Sequence, residues 1–174
     1  MLPDLQRLIE LQDIESRAAV AHKTIAEAPA RIAALDALLQ SATASLAAAK
    51  QALADNQNRR RSIDKDLIAA QQRVEKYKEQ IMAVKTNEQL HAMQHQMKAV
   101  GDEVGQHEER IIVSMMEADD INANIKKAEA ALKAAQAKVS AERAAIENEV
   151  KAQQAAVAQT TEARQKLIAA LDNK

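Results

Sequence analysis

His91 and His95 stand four residues apart, with Glu88 one turn earlier if the segment is helical. That spacing can set two imidazoles and a carboxylate around a divalent metal. The surrounding heptad pattern puts both histidines at b and f positions, where solvated polar residues are expected, so no metal ligand and no cofactor is assigned. His107 falls on an apolar seam opposite Leu67 and reads as a packing residue rather than a ligand or a proton switch. Arg73, Lys76, Lys78, Lys85 and Lys98 gather near the midpoint of the chain, but Glu75, Glu79 and Glu88 dilute them. The single aromatic residue, Tyr77, is committed to the seam, which leaves nothing to stack on bases. Gly101 and Gly105 sit inside a heptad run rather than in a phosphate-binding loop, and no zinc-hydrolase motif or nucleophile elbow is present. Zero cysteines remove disulfides, thiolate zinc sites and cysteine nucleophiles. No catalytic residue is assigned, and a non-enzymatic protein is expected.

The elements that would position these residues follow from periodicity. From Ile32 through Leu35, Leu39, Ala42, Leu46, Ala49, Leu53, Asn56, Arg60, Ile63, Leu67, Ala70, Val74, Tyr77 and Ile81 to Val84, seam positions recur at alternating steps of three and four. A second run keeps those steps from Leu90 through Met93, Met97, Val100, Val104, His107, Ile111, Ser114, Ala118, Ile121, Ile125, Ala128, Leu132 and Ala135 to Val139. This is the a/d repeat of a left-handed coiled coil. The step from Val84 to Leu90 breaks it. Folding the chain back at Asn87 sets each a position against a d position equidistant from the fold, and large residues meet small ones: Ala49 faces Ile125, Leu46 faces Ala128, and Leu39 faces Ala135. Such alternation lets two helices approach and fill the seam. The predicted fold is therefore all-α, a long antiparallel two-helix coiled-coil hairpin. Its first arm covers residues 3–84, its tip 85–89 and its second arm 87–172.

Pro3 suits a helix start. Leu5, Leu8, Leu11, Ile14, Ala18, Ala21 and Ile25 form a less regular stripe, and Pro29 predicts a kink or short break near residues 27–30. Asn56 reads as a register-setting polar residue, with Arg60 reaching past Ser114 toward Glu117. At the tip, Thr86 and Gln89 have the spacing of a capping box, and Asn87 tolerates left-handed geometry. Gly101 and Gly105 mark either a bend, a close backbone approach or tolerated surface glycines. After Val139 the apolar set shifts to Ile146, Val150, Val157, Leu167, Ile168 and Leu171, the pattern of a stutter. It pairs imperfectly with the first stripe, setting Ile14 against Thr161 and Leu11 against Arg164.

The apolar fraction of 47% is mostly alanine, and two glycines, two prolines and 28% charged residues suit long helices rather than a sheet. A net charge of −1 gives no field for nucleic acid or an acidic membrane. No signal peptide is visible at Met1-Leu2-Pro3-Asp4, and no apolar run is expected to be long enough to span a bilayer. A cytoplasmic protein without membrane contact is expected.

The tip, Tyr77 to Leu90, resembles a bacterial family that joins a long coiled-coil hairpin to a C-terminal four-cysteine zinc ribbon. The Val84-Lys85-Thr86-Asn87 run is its most specific match. Leu8 to Ile14 and Pro29 to Leu35 look like the family's opening helix and post-proline segment. Two departures stand out: Gln89 and Leu90 replace the acid and aromatic residue usual after the tip asparagine, and no zinc ribbon is present. The closing Leu171-Asp172-Asn173-Lys174 comes where the ribbon should begin, so the chain reads as the isolated hairpin of such a protein. The resemblance implies an adaptor in flagellar assembly, type III secretion or transcriptional regulation, with an alternative sigma factor or a secretion component as partner.

Three functions thus enter as expectations. The first is an adaptor that binds a protein partner through Lys85, Thr86, Asn87, Glu88, Gln89 and His91 at the tip. The second is a nucleic-acid-binding accessory protein using the neighbouring basic residues. The third is a structural spacer or oligomerising rod. Monomer and homodimer both fit the pattern.

Overall fold

The computed structural model describes the backbone of residues 3–172 and the side-chain surroundings of residues 5–169; the expectations placed on Leu171 and the closing residues lie outside the latter range. The chain is an all-α helical hairpin, 97% helical, with no strand among the described residues. Helix α1 spans Pro3–Ile81 and α2 spans Asn87–Asp172. Two compact units divide it, one made of residues 1–43 and 131–174, the other of residues 44–130.

In the first unit, Ala28, Leu35, Val139 and Ile146 are buried together, and Ile32, Leu39 and Val150 pack against them. Arg31 pairs with Glu149, Asp36 with Arg143, and Glu15 with Arg164, so α2 descends as α1 ascends. These flanking pairs are all substantially exposed, and each adds well under 1 kcal/mol. The apolar seam carries the stability. Helix α1 continues through Pro29 without the break expected at residues 27–30. A proline ring already holds a helical φ, and the packing of Ala28 and Ile32 offsets the lost hydrogen bond.

The N-terminal stripe follows its sequence reading from Leu11 to Ile25 and differs at its start. Leu5 and Leu8 are exposed, whereas Arg7, Leu11, Ile14, Ala18 and Ala21 are turned toward the interior. The seam simply extends its steps of three and four backwards, in a phase that leaves the first two leucines outside. The mismatch expected of Ile14 with Thr161 and Leu11 with Arg164 is present. Thr161 and Arg164 are exposed, and Arg164 reaches Glu15 at 3.3 Å. On α2, both the shifted residues Val150 and Val157 and the continuing heptad residues Glu149, Gln153, Ala156, Thr160 and Ala163 are half-buried. The contact face broadens where a clean stutter was expected.

One stretch of α1 is long and apolar enough to cross a membrane by length and composition, contrary to the expectation of no such run. Only 6% of that stretch is buried within the hairpin. Leu35 and Ile32 pack against Val139 and Ile146, with the paired Asp36 beside them.

In the second unit, every predicted seam residue of α1 from Leu46 to Val84 is buried or half-buried except Arg60, and every one of α2 from Leu90 to Ala128 is as well. Arg59–Glu117 and Arg73–Glu103 pairs line one flank, and Lys50–Glu129 lines the other. Neither glycine serves a close approach inside the chain. A Cβ built on Gly101 or Gly105 meets nothing within 4 Å, and neither has positive φ.

Candidate partner-binding surface at the turn

Helix α1 ends at Ile81, three residues before the predicted end of the arm, and residues 82–86 make the turn. Backbone bonds from the Ala83 amide to the Gln80 carbonyl (3.0 Å) and from the Val84 amide to the Ile81 carbonyl (3.4 Å) tighten the last turn of α1. Val84, beyond the end of α1, and Leu90, in the first turn of α2, are both half-buried.

Thr86 is the N-cap of α2. Its Oγ1 accepts a bond from the Gln89 amide at 3.3 Å, and its carbonyl accepts the first helical bond, from the Leu90 amide, at 3.0 Å. Glu88 lies in the first turn, where a carboxylate complements the helix dipole. The turn needs no left-handed residue: no non-glycine residue among the described residues has positive φ, and Asn87 begins α2 in ordinary helical geometry.

The structure brings the predicted site residues to one end of the second unit. Lys85, Thr86, Asn87, Glu88 and Gln89 are exposed and consecutive, and His91 is exposed on the first turns of α2. His95 is exposed a turn further on, and no group of three or more metal-capable side chains gathers among the described residues. Met82 was not among the predicted site residues, yet it is 90% exposed at the start of the turn. Its position off the a/d seam was the available signal.

No protein-family model, no curated protein and no solved structure matches this chain. The zinc-ribbon resemblance therefore stands on the residues that carry it.

A second constellation lies within the same unit. Asn56 is only 1% exposed and Ser114 3%. The Asn56 amide nitrogen donates to the Ser114 carbonyl at 3.2 Å and to Glu117 Oε2 at 3.1 Å, and Ser114 Oγ donates to Asn56 Oδ1 at 3.3 Å. Arg59 reaches the same Glu117 oxygen at 3.3 Å. Arg60, expected to do so, is instead exposed and lies 3.9 Å from Asp64 on its own helix. A guanidinium at the seam would lose its hydration, whereas the flanking position of Arg59 keeps its charge in water while it pairs. Arg59, Ile63, Arg110, Val113 and Glu117 line an open groove of about 490 Å³ beside this layer. His107 is half-buried as expected, and its Nδ1 is buried without a partner.

Proposed function

We propose that the chain is a non-enzymatic adaptor whose turn presents the partner-binding surface. The observation that carries this reading is the excess of exposed, chemically varied side chains at the turn over what the fold requires there. Capping uses Thr86 alone, while Met82, Lys85, Asn87, Glu88 and Gln89 stand free of the seam. An exposed methionine beside a cation, an amide and a carboxylate can supply an apolar anchor with directional polar contacts around it. The resemblance at Val84 to Asn87 names the partner class: an alternative sigma factor of the nitrogen type, or a flagellar or secretion component, met in the cytoplasm.

The test replaces Lys85, Asn87 and Glu88 with alanine and keeps Thr86, so that the cap survives. Binding to a purified nitrogen-type sigma factor should fall by about tenfold or more, with helicity unchanged by circular dichroism. Capture that survives the triple substitution would remove the turn as the binding site. A wild-type chain that does not bind this probe would reject the partner class.

A further inference from the structure

The second unit carries a lateral face that the hairpin itself leaves uncovered. The Lys50–Glu129 pair joins e positions of the two helices and so defines one flank. On α2, the e and b positions of that flank are Lys98, Gly101, Gly105, Glu108, Ile112, Met115 and Asp119 in succession. Ile112 is 59% exposed and Met115 49%, with Met116 at 65% on the adjoining position. Helix α1 adds Ile68, at 54%, from its own b position on the same side. Next to Gly101 runs a groove of about 170 Å³ with Gln71, Val74, Glu75 and Val104 as its other walls.

The two glycines weaken α2 as a helix and relieve no clash within the chain, since a Cβ at either would meet open space. What they provide is a gap on an outer surface. The apolar side chains lie on the same stripe at a similar spacing: Gly101 and Gly105 are four apart, and Ile112 and Met115 are three apart, with Met116 beside them. A twofold axis close to Glu108 maps one set onto the other. It seats Met115 of one copy over Gly101 of the second and Ile112 over Gly105. It also brings Lys98 of each copy within a turn of Asp119 of the other. Both are exposed, and neither forms an ion pair among the described residues.

We infer that this face is the interface of a homodimer in which two α2 helices pack antiparallel across the twofold axis, glycine gap against methionine and isoleucine. An isologous interface demands a patch that is complementary to itself under rotation; the sizes and the flanking Lys98 and Asp119 charges meet that demand, while the two Glu108 carboxylates, brought together near the axis, oppose it and weaken the dimer. The occupant is thus a second copy of the chain. The patch is small, which places the dimer among weak associations.

Sedimentation equilibrium of the full chain tests this. Wild-type protein should dimerise reversibly at concentrations up to about 1 mM. Replacing both glycines by leucine separates the interface from the fold. Gly101→Leu with Gly105→Leu should raise the melting temperature of the dilute chain, because leucine is the better helix former and has room. The same variant should dimerise at least about tenfold more weakly. Lys98→Glu should weaken the dimer, and Lys98→Glu with Asp119→Lys should restore it. A wild-type chain that stays monomeric throughout this range, as it would if a different helical protein covered the face, overturns the inference. So does a leucine variant that dimerises as well as wild type, or a charge swap that restores nothing.

Discussion

Ile146→Ala should destabilise the first unit by about 2–3 kcal/mol, the lower part of the range for an emptied isoleucine site. Ile146 is 3% exposed and shares its cluster with Ala28, Leu35 and Val139. Two features set the size of the loss. Ala28 is already the smallest side chain that can pack, so no neighbour from that layer can move in to fill the space. A seam between two helices, however, opens to solvent at its flanks, where Arg31 is exposed and Glu149 half-buried, and a cavity there relaxes or hydrates more easily than one in a thick core. Hydrogen exchange should show the loss at amides within residues 28–39 and 139–150, which report on this unit alone. Val20→Ala, at a position 65% exposed in the same unit, should change these amides by less than about 0.5 kcal/mol. Equal losses for the two variants would mean that the buried cluster does not hold the unit together.

The spacing of apolar residues was enough to read the hairpin, because an a/d repeat reports directly on which side of a helix is covered. Leu46 to Val84 and Leu90 to Ala128 therefore occupy the interior almost without exception. The same repeat is silent on dihedral angles. Val84 keeps its place in the seam although α1 has ended at Ile81, so the helix end could not be read from periodicity. At Pro29 the helix does not break, because tertiary contacts hold Ala28 and Ile32 on either side of it. Arg60 and Leu5 have different causes: Arg60 leaves the seam because burial would strip its guanidinium of water, and Leu5 is outside because the seam runs through Arg7 and Leu11 in another phase. At the turn, the cap could be read because Thr86 and Gln89 have fixed spacing, and the structure supplies the Thr86 half of the box. A partner leaves no comparable mark on one sequence. Exposed residues obey no packing rule: Met82, Met115 and Met116 all stand off the a/d seam in the sequence, and only the structure sets Met82 apart, at 90% exposed.

Replacing Asn56 by leucine together with Ser114 by alanine should raise the stability of the second unit by about 1–3 kcal/mol while loosening its register. In the native layer the Asn56 amide spends both N–H groups and accepts from Ser114 Oγ, so its burial is matched by hydrogen bonds rather than penalised. Such a layer gains little over an apolar pair of similar volume, since both partners were hydrated before folding. Its effect is on the alternatives. The neighbouring seam alternates Leu46, Ala49 and Leu53 against Ala118, Ile121, Ile125 and Ala128, a pattern that a slip of one heptad disturbs only mildly. A slip moves Asn56 away from Ser114 and Glu117, toward Ile121 in one direction or His107 in the other, and strands a buried amide at a cost of about 1–3 kcal/mol. Asn56→Ala alone should therefore destabilise, because Ser114 Oγ loses its acceptor and a void opens beside it. The double variant should stabilise. Spin labels at Ala52 and Asn124, both exposed on the flank marked by Arg59 and Glu117, read the register as a distance. Wild type should give one narrow distribution, and the double variant a broadened or divided one. A double variant that keeps the single narrow distribution would assign register to the size pattern of the seam, and Asn56 would be left as a hydrogen-bonded packing residue only.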